Sequence, residues 1–92
     1  MKRFFDDPIY KRWRKEVYAR DKFCCQWPGC TASKKLNAHH IKKWADNPGL
    51  RFSLDNGITL CHKHHKMITG LESDYEAVFN KLIYQKKIND RE

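Results

Sequence analysis

The chain has no long apolar run. Its start, Met1-Lys2-Arg3-Phe4-Phe5-Asp6-Asp7, is too polar for a secretory signal, and nowhere do roughly 18 to 20 apolar residues follow one another to span a bilayer. Neither a signal peptide, a transmembrane helix nor a membrane partner is expected. Without a secretory route the four cysteines should be reduced or metal-bound rather than disulfide-paired. Internal repeats and low-complexity segments are missing as well, and with them a repeat array. Acid is scarce where base is dense. The net charge is +8; through Lys66 there are fifteen basic and six acidic residues, and from Met67 onward four basic and five acidic. The positive excess shares its stretch with the cysteines and histidines. Such a field attracts polyphosphate, so nucleic acid is the expected partner class.

Ninety-two residues suit one small domain over 1–92, near the low end of what a core stabilises unaided. A structural metal is the expected help. The fold class is α+β. A first helix is predicted over about 8–20, with Asp6 or Asp7 as N-cap and Pro8 in its first turn. Ile9, Trp13 and Val17 give it an apolar face, with Trp13 in the core, and Lys11, Arg12, Arg14 and Lys15 lie mostly off that face. Phe23 to Ala32 reads as a knuckle turning at Pro28-Gly29. Leu36–Ile41 and Ile58–Leu60 read as strands, joined by a long connection, Lys42 to Asp55, centred on Asn47-Pro48-Gly49. His62–Ile68 reads as a short helix stopped at Gly70. Ser73-Asp74-Tyr75-Glu76 has the form of a capping box for a last helix over about 74–88. Tyr75, Val78, Phe79, Leu82 and Ile83 form its core-facing stripe.

Cys25 and Cys30 have four residues between them, and Cys61 and His64 have two. Both spacings close a tetrahedral zinc site, and three cysteines with one histidine form a known structural class. Cys24 competes with Cys25; it would leave five residues before Cys30, a poorer fit, so Cys24 is read as a packed thiol.

All five histidines fall in two clusters, His39-His40 and His62-Lys63-His64-His65, with Asn56 between them. Histidine is both a common metal ligand and a base near neutral pH. Singly these residues say little: Asn56-Gly57 alone is a turn, and a histidine pair alone is more often surface or core. A strand sends consecutive side chains to opposite faces. His39 and His40 can then share a site if the strand ends or bends there, or if one meets a metal while the other approaches a substrate from another side.

The ordered set is more specific. Arg20-Asp21-Lys22-Phe23-Cys24-Cys25, Leu36-Asn37-Ala38-His39-His40-Ile41-Lys42, Arg51 to Cys61 and His64-His65-Lys66 together resemble the HNH endonuclease family, in its small single-domain form of phages and prophages. The likeness covers about 20–68. It implies a ββα-metal domain: a two-stranded hairpin with a long loop, then a helix, with flanking helices and a structural zinc knuckle. Carried over by position, His39 takes the place of the first metal ligand and His40 that of the general base. Asn56 matches the middle asparagine that orients the loop, and His65 the last histidine, a metal ligand. His62 matches no family role. Many relatives have two residues between the first cysteines and a cysteine where this chain has His64; both departures stay within zinc chemistry.

The implied activity is metal-dependent hydrolysis of DNA phosphodiesters, by nicking or double-strand cleavage. The implied cofactors are a structural zinc ion and a catalytic divalent ion, magnesium, manganese, nickel or zinc. Lys34, Lys35, Lys42, Lys43, Arg51 and Lys66 are the candidates to neutralise flanking phosphates. Trp44 is a candidate for sugar or base contact and equally for packing. By resemblance the partner is DNA, taken as double-stranded, acted on by a monomer or weak dimer in a bacterial cytoplasm. Phage packaging beside terminase proteins, restriction and mobile-element processing are the roles it opens. A non-catalytic zinc module that binds nucleic acid is the competing reading, and a nuclease for RNA or single strands is a third, because basic charge reads phosphate and not sugar.

Overall fold

The structure is a computed structural model, and it describes residues 7–42 and 48–90. Asp6, Lys43 and Trp44 lie outside the described residues. Helix α1 runs Pro8–Arg20. Asp7 is its N-cap, and its carboxylate accepts from the Ile9 N–H at 2.8 Å. Trp13 and Val17 are buried as expected, but Ile9 is 57% exposed and does not complete the apolar face. Lys22 and Phe23, both at φ 56°, stop the helix. Their left-handed backbone costs roughly 1–2 kcal/mol per residue. Hydrogen bonds from Lys22 N to Ala19 O (3.1 Å) and Phe23 N to Tyr18 O (2.8 Å) hold it.

Strands β1 (Leu36–His40) and β2 (Gly57–Cys61) form an antiparallel pair in which His39 faces Ile58 and His40 faces Gly57. The expected strands are present, each differing by a residue or two at its ends. In the connection, Pro48–Leu50 and Leu54–Asn56 each make one 3-10 turn. Helix α2 spans His62–Ile68, as its sequence predicts. Helix α3 spans Glu72–Asp90 and corrects one expectation. It begins before Ser73, so Ser73 lies in the first turn and the predicted capping box does not cap it. The Asp74 N–H instead reaches back to Leu71 O at 2.9 Å.

The hairpin is packed on both faces. Residues opposite one another in an antiparallel pair share a face. One face meets α1, where Gly57 is pressed so close that a Cβ would stand 2.5 Å from Val17 Cγ2 and 2.6 Å from Trp13 Cζ2. The other face carries Ile58 and Leu60 into a core with Ile41, Ile68, Phe79 and Ile83. Val78, assigned by its spacing to the same stripe, is 46% exposed.

A buried carboxylate ties α1 to the sheet. Asp21, 1% exposed, accepts from the Thr59 N–H at 2.9 Å and is held in a fork by Arg20 Nε and Nη2, each at 2.9 Å. Arg20 also donates to the carbonyls of Leu54 and Gly57, each at 2.7 Å. Among the described residues no helix is long and apolar enough to cross a membrane.

Candidate metal centre and catalytic cleft

The knuckle from Cys25 to Ala32 is closed by Cys25 N–H to Ala32 O (2.8 Å) and Cys30 N–H to Trp27 O (2.9 Å). It delivers two sulfurs to the junction where β2 becomes α2. There Cys25, Cys30, Cys61 and His64 put one ligand atom each within 4.8 Å of one another. His64 Nδ1 lies 3.5 Å from Cys25 Sγ and 3.3 Å from Cys61 Sγ. Zinc bonds of about 2.0–2.3 Å in a tetrahedron separate ligand atoms by roughly 3.3–3.8 Å. The donor set fits a metal ion such as zinc. Trp27 stacks flat on the His64 ring at 4.8 Å and 6°, fixing its orientation. Burial pushes the Cys25 thiol up to about 11, so a cation is what would hold it as thiolate. Burial pushes Cys61 the same way, but the His64 N–H and the Cys25 side chain outweigh it and bring Cys61 below the usual thiol value. Cys24 stands outside this group and is half-buried, with its Sγ 3.4 Å from Lys22 O.

The second cluster lies along the outer edge of β1. A cleft of about 430 Å³ is lined by Tyr10, Arg14 and Tyr18 of α1, Leu36 to His40 of β1, His65 of α2 and Glu72 of α3. His39 turns to the α3 side, with its ring edge-on to Phe79 and to His65, both at 5.6 Å. His40 turns to the α1 side and stacks on Trp13 at 4.0 Å and 12°. The two rings diverge, as a regular strand requires, yet both reach one cleft. No bend is needed, because among the described residues β1 is paired on one side only and the cleft opens on its other edge.

The chemistry of each ring follows from its surroundings. His39 is 7% exposed, and its Nε2 is buried with no hydrogen-bond partner among the described residues. Burial, then the neighbouring His65, lowers its pKa to about 4, with Glu72 opposing. It is therefore neutral near pH 7, a state in which one ring nitrogen carries a lone pair that could hold a cation. Burial also lowers His65, again opposed by Glu72, whose carboxylate favours positive charge in the cleft. His40 Nε2 lies 2.8 Å from the Arg51 carbonyl. That oxygen only accepts, so Nε2 is assigned the proton and Nδ1 the lone pair. Burial lowers the His40 pKa as well, keeping the ring neutral.

Asn56 is buried and pins the loop. Its Oδ1 accepts from the Lys42 N–H at 2.9 Å, and its Nδ2 donates to Lys42 O at 3.3 Å and Leu50 O at 3.2 Å. The Ile41 N–H adds a bond to Asn56 O at 2.8 Å. Asn56 thus fixes the ends of the segment whose Arg51 carbonyl orients His40.

Tyr10, Arg14, Tyr18 and Glu72 were not legible as site residues. The four-residue spacing of Tyr10, Arg14 and Tyr18 on one side of α1 is the only signal they carry in sequence. Of the basic candidates, Lys34, Lys35 and Lys66 are exposed, Lys42 is ion-paired with Glu76 at 3.7 Å, and Arg51 is half-buried. None of these five lines the cleft. His62, exposed, gives its backbone N–H to Lys35 O at 2.9 Å.

This fold, a hairpin and following helix with a Cys3His cluster at their junction, defines a ββα-metal class of protein. A family profile described as HNH endonuclease matches residues 23–69. That is 47 of 92 residues, more than half, and the chain belongs to the HNH endonuclease family. Neither the curated proteins nor the solved structures contain a match to the chain.

Proposed function

We propose that the chain is a metal-dependent DNA endonuclease with His40 as general base, His39 and His65 as ligands of the catalytic ion, and Asn56 as positioning residue. The observation that carries the reading is the convergence of His39, His40 and His65 on one cleft, with Asn56 pinning the loop behind His40. A divalent ion held by His39 and His65 would neutralise the scissile phosphate and stabilise the departing oxygen.

The protein's own steps are these. His40 accepts a proton at Nδ1 from the water that attacks phosphorus. The Nε2–H bond to Arg51 O orients the ring and stabilises the imidazolium that forms. Trp13, stacked beneath it, keeps the ring from turning away. The Cys25, Cys30, Cys61 and His64 cluster holds the start of α2, and so places His65, the next residue after His64. Lys34, Lys35 and Lys66, with Lys42 and Arg51, supply charge to flanking phosphates.

The test is a supercoiled-plasmid assay with magnesium, manganese, nickel, zinc or EDTA, comparing the wild-type chain with His40→Ala. Nicking or linearisation that needs a divalent ion and His40 is expected. If the zinc-loaded protein leaves plasmid and oligonucleotides intact with every ion, the non-catalytic binding module is the better reading.

A further inference from the structure

The outward side of α1 carries two lysines, Lys11 and Lys15, that the cleft does not use. Lys11, Arg14, Lys15 and Tyr18 recur at i, i+3, i+4 and i+7, so they share one side of the helix. Lys11 and Lys15 lie about 200° around the axis from Trp13, at ~100° per residue. Among residues 8–20 Glu16 is the only acid, against five basic residues, and it is ion-paired with Arg12 at 3.1 Å. Like charges at this spacing destabilise an isolated helix, so the stripe lowers α1 stability unless an anion covers it.

The stripe also has a shape. Lys11, Arg12, Arg14, Lys15 and Tyr18 line a groove of about 540 Å³. Two of them, Arg14 and Tyr18, line the catalytic cleft too. The Tyr18 hydroxyl donates to Leu36 O at 3.0 Å, which fixes its ring at the junction, and the Arg14 guanidinium lies 5.7 Å over that ring. Groove and cleft therefore meet at one cationic, aromatic step.

We infer that this groove is a second phosphate track, along which the nucleic-acid backbone leaving the cleft passes over Lys11 and Lys15. The inference rests on the nuclease reading. It commits to a polyanionic strand because the lining is almost wholly cationic and opens onto the cleft. It adds a footprint that the loop and α2 lysines do not supply.

The test reads binding alone, in His40→Ala protein. The salt dependence of affinity is compared for the parent and Lys11→Gln/Lys15→Gln, on a duplex of about three helical turns. The double variant should lose about 1.8 from the slope of log K against log salt, ~0.9 per phosphate contact. Lys11→Arg/Lys15→Arg should restore the slope. An unchanged slope in the double variant, or a loss that the arginine pair does not restore, overturns the track and leaves the nuclease reading standing. If the parent does not bind the duplex, both fall together.

Discussion

The two histidine-bearing centres lie on either side of one residue boundary in α2, and they are built to opposite ends. His64 faces inward to two sulfurs at 3.3 and 3.5 Å under a stacked tryptophan. His65, the next residue, faces a cleft with His39 5.6 Å away between ring centres. One centre gathers four donors, two of them buried and two half-buried; the other is open and short of donors. A closed tetrahedron holds a metal for the sake of the fold, whereas an open site keeps room for water and substrate. One turn of helix serves both because adjacent positions point about 100° apart.

Removing the closed centre should have the largest effect. Cys61→Ser, or chelation, is expected to release the metal and unfold the domain, since structural zinc contributes ~10–16 kcal/mol in small metal-dependent folds. Metal analysis with circular dichroism checks it; a folded Cys61→Ser protein with its full metal content would erase the distinction between the centres.

The open centre should break the other way. His40→Ala is expected to slow cleavage by ~10²–10⁴-fold, the usual share of a general base. Its ring also stacks on Trp13, so a stability loss of about 0.5–1.5 kcal/mol should accompany the rate loss. His65→Ala should likewise lose cleavage while keeping the structural metal and the melting transition. Loss of that metal from His65→Ala, seen by elemental analysis, would show that the division of ligands is wrong.

Two smaller changes probe what joins the centres. Asn56→Ala removes three side-chain hydrogen bonds and leaves buried loop groups unpaired, a loss of about 1–3 kcal/mol per unsatisfied group. Cleavage should fall more than binding, because the loop behind His40 slackens; equal losses in both would show Asn56 to be merely structural. Gly57→Ala must push apart Val17 and Trp13, at about 1–3 kcal/mol for overpacking. An unshifted denaturation midpoint would argue against that close approach.

Much of this was legible because the relevant interactions are short in sequence. Asp7-Pro8 marks the start of α1, and the spacings of Cys25 with Cys30 and of Cys61 with His64 each describe one local turn. The start of α3 was misread because the Ser73 to Glu76 pattern is local, whereas where the helix begins depends on how the chain leaves α2. Asp21 gave no warning of its part: its partners Thr59 and Lys86 are far away in sequence. The cleft wall on α1 was missed for the same reason.

The sequence by itself determined most of the elements and the four-residue metal cluster, which follow from periodicity and spacing, read one segment at a time. The ordered set His39, His40, Asn56 and His65 was legible through the resemblance to the family. Only the tertiary structure decided that two diverging histidines serve one cleft. That outcome needs β1 to be an edge strand with α1 on one face and α2 and α3 on the other. Which helix covers which face is settled by packing: Gly57 admits Trp13 and Val17 on one side, and Ile58 and Leu60 meet Phe79 and Ile83 on the other.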